Sequence, residues 1–267
     1  MLEPFLKWAG GKRWLVQQYP GLLPKHFNRY IEPFLGSGAL FFYLLPPRAI
    51  LADTNAELIN AYRGIKRNPT RIHDRLKRLQ RLHGPDCYQR ARKSIPQDPI
   101  ERATRFIYLN RTCFNGLYRV NLQGVFNVPM GSKAQVEFPK GFLEQMGAAL
   151  RGAQLRLSDF EAVINQAREG DFVYADPPYT VMHNRNNFIK YNANLFSWDD
   201  QLRLACALKR ASRRGALVML SNANSSSVRS LYRNYGSHFR LERNSLLAGD
   251  AEHRRITTEL VVTSYRL

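Results

Sequence analysis

The chain has 267 residues, 44% of them hydrophobic, which allows one large domain or one domain with a sizeable insertion. Its 40 Lys and Arg against 21 Asp and Glu give a formal charge of +19, and such an excess indicates an anionic partner. No apolar stretch approaches the roughly 18 residues of a spanning helix, and Met1-Leu2-Glu3-Pro4 lacks the basic segment of an export signal. We therefore expect a soluble, cytoplasmic protein that binds nucleic acid and no membrane; the alternative is a generally basic, solvated surface.

The cysteines and histidines give no sign of a metal centre. Cys87, Cys113 and Cys206 are scattered, without metal-ligand or redox spacing, and the six histidines show no paired spacing. We expect reduced thiols and no bound metal.

The first motif along the chain is a glycine turn. Gly10 and Gly11 allow the backbone to approach a ligand closely, and charge and a large ring surround the turn at Lys7, Trp8 and Lys12. The turn lacks the spacing of a phosphate-binding loop, so an ordinary turn before a helix is the alternative.

The next segment has the pattern of a nucleotide-binding α/β unit. It reads as strand, glycine loop, helix and strand at residues 29–32, 33–38, 39–44 and 49–52. Asp53 follows 17 residues after Gly36, near the spacing of an acid that binds ribose hydroxyls. Because Phe41 stands where the third glycine of a dinucleotide site would fall, the pattern favours a nucleoside cofactor without pyrophosphate, such as S-adenosylmethionine.

Residues 56–142 differ in character from the segments on either side. Asn55 and Asp98 are predicted helix N-caps, and residues 63–93 contain eleven Lys and Arg against two Asp. We interpret 56–142 as an inserted, mostly helical domain that contacts the polymer. Residues 1–55 and 143–267 then form the catalytic domain.

The insertion contains a segment, residues 110–129, that combines turn signals with base-reading side chains. Asn115-Gly116 and Gln123-Gly124 predict turns around short β pieces. Arg, Asn and Gln side chains recognise guanine and adenine edges, and aromatic side chains wedge between bases. A polar hairpin loop without such a role has the same composition.

The core resumes after the insertion. Further strands are predicted at residues 154–157, 172–175, 216–221, 240–242 and 259–265. Ser197 opens a predicted helix that runs through Arg210. The loop 180–194, with Phe188 and Tyr191, is a candidate lid.

The segment from Phe172 to Tyr179 is the most informative one. Because Pro177 has no amide hydrogen for a sheet ladder, the apolar strand must stop at Asp176 and leave that carboxylate at its carboxyl end, where α/β sheets bind ligands. With the flat ring of Tyr179, these acceptors suit a planar base that bears an exocyclic amino group. The alternative is a stiff turn with a capping Asp176 and a half-buried Tyr179.

Taken together, the motifs resemble the Dam-type DNA adenine-N6 methyltransferases of the D12 class. The matching segments occur in that family's order and are Lys7-Trp8-Ala9-Gly10-Gly11-Lys12, Glu32-Pro33-Phe34-Leu35-Gly36-Ser37-Gly38, Leu51-Ala52-Asp53, Tyr108-Leu109-Asn110-Arg111, Phe114-Asn115-Gly116-Leu117, Arg119, Phe126-Asn127-Val128-Pro129 and Asp176-Pro177-Pro178-Tyr179. The resemblance implies an α/β fold: a Rossmann-like mixed seven-stranded methyltransferase sheet with an inserted, mostly helical DNA-recognition domain. It also implies S-adenosylmethionine as cofactor and double-stranded DNA as substrate.

The resemblance further implies a mechanism. The target adenine flips out of the duplex and stacks on Tyr179, while the Asp176 carboxylate and the Pro177 carbonyl accept hydrogen bonds from N6. Those bonds aim the lone pair of the nitrogen at the sulfonium methyl group. The implied cofactor-binding residues are Trp8, Lys12, Gly36, Asp53, Asp159, Phe160 and Asp176.

The same resemblance assigns residues to the DNA. The implied DNA-binding residues are Lys7, Phe114, Asn115, Arg119 and Pro129. Phe114 falls where the family places an intercalating aromatic side chain, and the family's usual target is the adenine of GATC. Ser132 departs from the arginine expected near that position, and the neighbouring Lys133 lacks the two-pronged donor geometry of arginine. GATC specificity therefore has less support in the sequence than the chemistry has.

Two alternatives stay open from the sequence. One is the same chemistry on another DNA sequence, on cytosine N4 or on RNA, although the acid at Asp176 favours adenine over cytosine, where serine is commoner. The other is a non-catalytic DNA-binding protein, against which the complete set of Trp8, Lys12, Asp53 and Asp176 argues. We expect a monomer in solution; whether a cognate restriction endonuclease accompanies it is open.

Overall fold

A computed structural model describes residues 2–121, 123–132, 136, 138–180, 196–244 and 256–267. Ten α-helices lie within these described residues. They are α1 (Arg13–Gln18), α2 (Ala39–Leu44), α3 (Ala56–Arg67), α4 (Pro69–Arg81), α5 (Pro85–Lys93), α6 (Pro99–Thr112), α7 (Phe142–Ala149), α8 (Phe160–Ile164), α9 (Trp198–Arg213) and α10 (Ser226–Tyr232). Of these helices, none is long and apolar enough to cross a membrane.

The strands form one mixed seven-stranded sheet. They are β1 (Tyr30–Glu32), β2 (Ala49–Asp53), β3 (Ala153–Leu157), β4 (Phe172–Ala175), β5 (Leu217–Ala223), β6 (Ser237–Asn244) and β7 (Ile256–Thr263), in the order β3-β2-β1-β4-β5-β7-β6. β1 pairs in parallel with β2 and β4, and Ile31 lies opposite both Ile50 and Val173. β4 pairs in parallel with β5, whereas β7 runs antiparallel to β5 and β6. The predicted sheet class is therefore confirmed.

The strand order reverses between β1 and β4. The chain passes from β1 to its neighbour β2 on one side and from β4 to its neighbour β5 on the other. In open α/β sheets, ligands bind in the crevice outside the carboxyl ends of the strands at such a point. The residues that follow β1 and β4 are therefore the first candidates for a site.

The chain divides into two compact units. The first unit comprises Met1–Gln17, Leu35–Pro47 and Asp53–Leu157. The second unit comprises Gln18–Phe34, Arg48–Ala52 and Ser158–Leu267. The boundaries drawn from the sequence, at 55/56 and 142/143, remain a prediction.

The apolar core of the second unit packs strands against helices. Ile31, Val173 and Val218 contribute from three neighbouring strands, and Leu204 and Leu208 contribute from α9. All five side chains are fully buried. Such short runs of buried apolar residues are typical of central parallel strands.

Helix–helix packing forms the first unit. Gly64 of α3 lies so close to α6 that an added Cβ atom would stand 2.9 Å from the Cβ of Ala103. On the same helix, Lys66 donates a hydrogen bond of 2.7 Å to the carbonyl of Ala153. The basic helices α4 and α5 also belong to this unit.

The predicted helix caps are confirmed. The side chains of Asn55 and Asp98 accept the amide hydrogens of Leu58 and Glu101, at 3.1 and 2.8 Å. Ser197 forms a reciprocal capping box that opens α9. These are local signals, and each sets the first residue of a helix.

Several boundaries differ from the predictions. α9 continues to Arg213, and β6 is longer than the predicted residues 240–242. The helix α10 had no sequence prediction, since its serine-rich start gives little apolar periodicity. Lys133 and most of the candidate lid, including Phe188 and Tyr191, lie outside the described residues.

Truncation of Leu208 tests the importance of the second unit's core. Leu208→Ala removes a fully buried side chain from α9, and we expect the free energy of unfolding to fall by about 2–5 kcal/mol. Leu202→Ala is the matched control because Leu202 lies on the same helix but is 42% exposed, and it should cost less than about 1 kcal/mol. Urea denaturation measures both. Equal losses would contradict the assigned packing.

Candidate active site

Asp176 stands at the carboxyl end of β4. The strand ends at Ala175, as predicted, and Pro177 behind it is buried, while Asp176 and Tyr179 are half-buried. The hydroxyl group of Tyr179 donates a hydrogen bond of 2.7 Å to Oε2 of Glu259. This bond restrains the hydroxyl end of the Tyr179 ring.

A cluster of acids and tyrosines surrounds Asp176 in the second unit. Burial raises the pKa of Tyr30, Tyr174 and Tyr179 well above the usual value, and the negative charge of Asp176 raises it further in each. The three phenols therefore stay protonated and act as hydrogen-bond donors. Two further acids, Glu32 and Glu259, are almost completely buried. Glu32 also raises the pKa of Tyr30 and Tyr174, and Glu259 raises that of Tyr174 and Tyr179.

An aromatic cluster lies after β1 and at the start of α8. The rings of Phe34 and Phe160 stack with centroids 5.4 Å apart, and Phe196 packs against both. Asp159 caps α8 by accepting the amide hydrogen of Glu161 at 2.9 Å, and it forms an ion pair of 3.0 Å with Arg203. Adjacent apolar rings and a carboxylate are features that suit a heteroaromatic ring with an amino group.

The glycine loop of the first unit is held by Asp53. Oδ2 of Asp53 accepts the amide hydrogen of Gly36 at 3.2 Å, and Oδ1 accepts that of Asn55 at 3.0 Å. The hydroxyl group of Tyr62 donates to the carbonyl of Gly36 at 3.1 Å. Gly36 has a φ of 46°, which favours glycine. Two predicted site residues, Gly36 and Asp53, are therefore in direct contact.

Trp8 and Lys12 lie on the turn that precedes α1. The amide of Gly11 donates to the carbonyl of Trp8 at 3.1 Å, which closes the turn. Nζ of Lys12 donates to the carbonyl of Gly10 at 2.7 Å, and the Lys12 side chain is buried. A buried ammonium group is costly, and an anionic ligand group is one partner that would offset its desolvation. The indole of Trp8 lies against Gly36, where an added Cβ atom would stand 2.8 Å from Trp8 Cδ1.

Asn110 connects the start of the chain to the segment that follows α6. Its Oδ1 accepts the amide hydrogen of Lys7 at 2.9 Å, and its Nδ2 donates to the carbonyls of Lys7 and Gly116 at 2.7 and 3.2 Å. Asn110 is 1% exposed. The buried amide therefore holds Lys7 beside the turn that contains Asn115.

The described residues 113–121 and 123–130 form an irregular hairpin. Its two antiparallel bridges pair Cys113 with Met130 and Val120 with Phe126. Nε of Arg119 donates to Oδ1 of Asn127 at 2.9 Å across the hairpin. Of the predicted DNA-binding residues, Asn115, Arg119 and Pro129 are exposed, and Lys7 is half-buried.

Phe114 and Asn115 form a turn at the end of α6. The amide of Phe114 donates to the carbonyl of Pro129 at 2.9 Å, while its ring is 52% exposed. Asn115 has a φ of 53°, in the left-handed region that Asn tolerates better than most residues. A fixed backbone thus presents a large exposed ring.

Two contacts of the site were missed by the sequence reasoning. One is Glu259, 80 residues from its partner Tyr179, although an acid between apolar residues in a predicted strand was an available signal. The other is Tyr118, whose ring stacks on that of Trp8. No sequence pattern links positions so far apart.

Three features of the described residues define the class of protein. They are a mostly parallel sheet with a switch point between β1 and β4, an acid-held glycine loop after β1, and a proline-stopped acid after β4. This combination defines an open α/β protein of the nucleotide-binding type, with a candidate ligand site at the carboxyl ends of its strands. The structure, where described, contains no group of three or more His, Cys, Asp or Glu that could hold a metal ion.

Comparison with known proteins gives the family. A family model described as D12 class N6 adenine-specific DNA methyltransferase matches residues 8–245. The chain is 38% identical to the Type II methyltransferase M1.LlaDCHI of Lactococcus lactis subsp. cremoris, over 99% of this chain and 96% of that protein. It is 32% identical to the DNA adenine methylase of Escherichia coli (strain K12), over 94% and 92% of the two chains. The chain belongs to the D12 class N6 adenine-specific DNA methyltransferase family.

A third relative comes from Methanocaldococcus jannaschii. The chain is 36% identical to the Type II methyltransferase M.MjaIII of Methanocaldococcus jannaschii, over 83% of this chain and 84% of that protein. The resemblance drawn from the sequence motifs is thereby confirmed at the level of the family.

The pH dependence of stability tests the environment of Asp53. Burial raises the pKa of this carboxyl group, against the opposing effect of the amide hydrogen bonds from Asn55 and Gly36. The folded protein therefore binds this proton more tightly than the unfolded chain, and the stability that it contributes is lost as pH rises through the folded-state pKa. We expect the stability of the wild type relative to Asp53→Asn to fall with pH from about 4 upward, measured by urea denaturation. A relative stability that rises with pH would contradict the raised pKa.

Proposed function

We propose that this protein transfers a methyl group from S-adenosylmethionine to N6 of an adenine flipped out of double-stranded DNA, within GATC. The observation that carries the proposal is the position of Asp176, at the end of β4 beside the reversal of strand order and followed by Tyr179. A carboxylate there is an acceptor for an amino group, and the aromatic ring offers a stacking surface.

The residues present suit S-adenosylmethionine, which when bound supplies a methyl group activated by a positively charged sulfur. The buried ammonium group of Lys12 suits the carboxylate of its amino-acid end. Gly36 allows a ligand to approach the backbone of the glycine loop closely. Asp53 keeps acceptor capacity for ribose hydroxyls, since each of its oxygens has further lone pairs. Trp8 adds an aromatic wall, and Asp159 and Phe160 suit the adenine of the cofactor.

The second unit supplies the groups that act on the target base. The Asp176 carboxylate and the Pro177 carbonyl accept the two hydrogens of N6, which fixes the direction of its lone pair. Asp176 would stabilise the positive charge that develops at N6 as the bond from N6 to the methyl carbon forms and the bond from that carbon to sulfur breaks. The buried acids Glu32 and Glu259 add to the negative potential. N6 would then release one proton to water, which leaves a neutral methylated amine.

The first unit supplies the groups that hold DNA. The formal charge of +19 and the basic helices α4 and α5 favour contact with phosphates, which positions the duplex without reading its sequence. Arg119 and Asn115 are exposed and suit base edges, and the exposed ring of Phe114 suits the space left between bases. Lys7 and Pro129 lie next to the same turn because each is hydrogen-bonded there, Lys7 to Asn110 and Pro129 to Phe114.

Sequencing of methylated DNA tests the proposal directly. Plasmid DNA without prior methylation is treated with purified protein and S-adenosylmethionine, then sequenced with modified-base detection. We expect N6-methyladenine at GATC. Adenine modified in another context would revise the recognition sequence alone, while N4-methylcytosine, or modification only of RNA, would overturn the assigned target. Absence of any transfer would favour a DNA-binding protein without catalysis.

Substitution of Asp176 tests its catalytic role. Asp176→Ala removes the acceptor at N6, and we expect the turnover number to fall at least about a hundredfold, while affinity for the duplex changes little. Initial rates with tritiated cofactor and fluorescence anisotropy measure the two quantities. Asp199→Ala is the control, because Asp199 is an exposed acid of the same unit, and it should keep wild-type turnover. Retained turnover in Asp176→Ala would refute the role.

Substitution of Arg119 tests sequence recognition. Arg119→Ala should relax discrimination at one position of the site by about 1–3 kcal/mol, since its guanidinium group suits a base edge. Lys77→Ala removes an exposed cation of α4 instead, and it should weaken binding to all sequences alike and reduce the salt dependence by about one ion. Competition assays with single-base variants at several salt concentrations separate the two effects. Equal behaviour of the two variants would contradict the assignment.

A further inference from the structure

The rings of Trp8 and Tyr118 stack with their centroids 5.8 Å apart and their planes only 16° from parallel. Trp8 lies on the turn that carries Lys12, and Tyr118 lies in the hairpin immediately before Arg119. The stack therefore joins a proposed cofactor-binding residue to the segment that is proposed to read bases. Both rings belong to the first unit.

On the cofactor side, Trp8 presses against the glycine loop. A Cβ atom at Gly36 would lie 2.8 Å from Trp8 Cδ1 and 3.0 Å from Nε1, so the indole has no room to approach further. Asp53 holds the same loop through the amide of Gly36. A displacement of the Trp8 ring towards the loop must therefore be accommodated by the loop and by Asp53.

On the DNA side, Tyr118 is embedded in the hairpin. Its ring contacts Phe106 and Phe126, with centroid distances of 5.2 and 5.9 Å. The residues that follow the two hairpin aromatics, Arg119 and Asn127, bond to each other through side chains at 2.9 Å and through the backbone at 3.1 Å. Neighbouring residues of an extended chain point to opposite sides. The rings of Tyr118 and Phe126 therefore lie on one face of the hairpin, and Arg119 and Asn127 lie on the other.

We propose that Tyr118 is a positioning residue that couples recognition of the target sequence to cofactor binding. The inference rests on the proposed function, in which Trp8 contacts the cofactor and Arg119 reads a base. When Arg119 engages its base pair, the hairpin is fixed, and the stack fixes Trp8 against the glycine loop. The cofactor then contacts a Trp8 side chain that is already ordered, which lowers the entropic cost of binding.

The coupling is reciprocal and measurable. If the target sequence raises the affinity for the cofactor by a certain factor, the cofactor raises the affinity for that sequence by the same factor. The quantity to measure is thus the ratio of two dissociation constants for sinefungin, a non-transferable cofactor analogue, with the target duplex and with a scrambled duplex. The target sequence is taken from the sequencing experiment, so that an error in GATC does not affect the test.

Two variants separate the effect of ring stacking from the effect of side-chain size. Tyr118→Leu keeps an apolar side chain against Phe106 and Phe126 and removes the stack on Trp8, whereas Tyr118→Phe keeps the ring and removes only the hydroxyl group. Phe138→Leu is the control, because Phe138 stacks on Phe142 at 5.3 Å in the same unit without contact to Trp8. Thermal denaturation confirms that each variant is folded.

We expect the wild type, Tyr118→Phe and Phe138→Leu to bind sinefungin at least about fivefold more tightly with the target duplex than with the scrambled one. In Tyr118→Leu the ratio should fall to within about twofold of one. A Tyr118→Leu ratio equal to that of the wild type, a loss in Tyr118→Phe, or a wild-type ratio near one would each overturn the coupling. Failure of methyl transfer in the wild type would instead overturn the proposed function.

Discussion

Pro177 and Pro178 end β4 after Ala175, because a proline ring offers no amide hydrogen to a neighbouring strand. The chain has to leave the sheet where β1 and β4 lie side by side and the strand order reverses. Asp176 is thereby fixed between a buried strand and two stiff residues. The proposed contact of this carboxylate with a small amino group depends on such rigidity, since a misplacement of about 1 Å costs an enzyme up to roughly a hundredfold in rate.

Charge is distributed unevenly in this protein. The chain carries a formal charge of +19, and its first unit contains the basic helices α4 and α5. The second unit buries Glu32 and Glu259 near tyrosines whose pKa the charge of Asp176 raises. In the proposed function, the DNA polyanion requires a positive potential, whereas a nitrogen that becomes cationic requires a negative one. Protonated tyrosines allow the acids to be buried together, because each phenol donates a hydrogen bond or a favourable dipole without adding charge.

Local signals were read correctly from the sequence, and distant ones were not. Asn55 and Asp98 were identified as helix caps because a cap is a hydrogen bond to a residue three positions away. The end of β4 was equally accessible, since proline acts on its own neighbours. The contact of Tyr179 with Glu259 depends on the register of β7, and that of Trp8 with Tyr118 on the path of the hairpin. The roles of these residues remain predictions, because side-chain proximity alone does not identify a reaction.

The bond between Tyr179 and Glu259 has a consequence for the order of folding. β7 lies between β5 and β6 and antiparallel to both, so Glu259 reaches its place only after a long-range strand pairing has closed. An intermediate that already contained the parallel strands would have Asp176 in place but a tyrosine ring free to rotate. The hydrogen bond that anchors the Tyr179 ring should therefore form only once β7 has paired, later than the parallel part of the sheet.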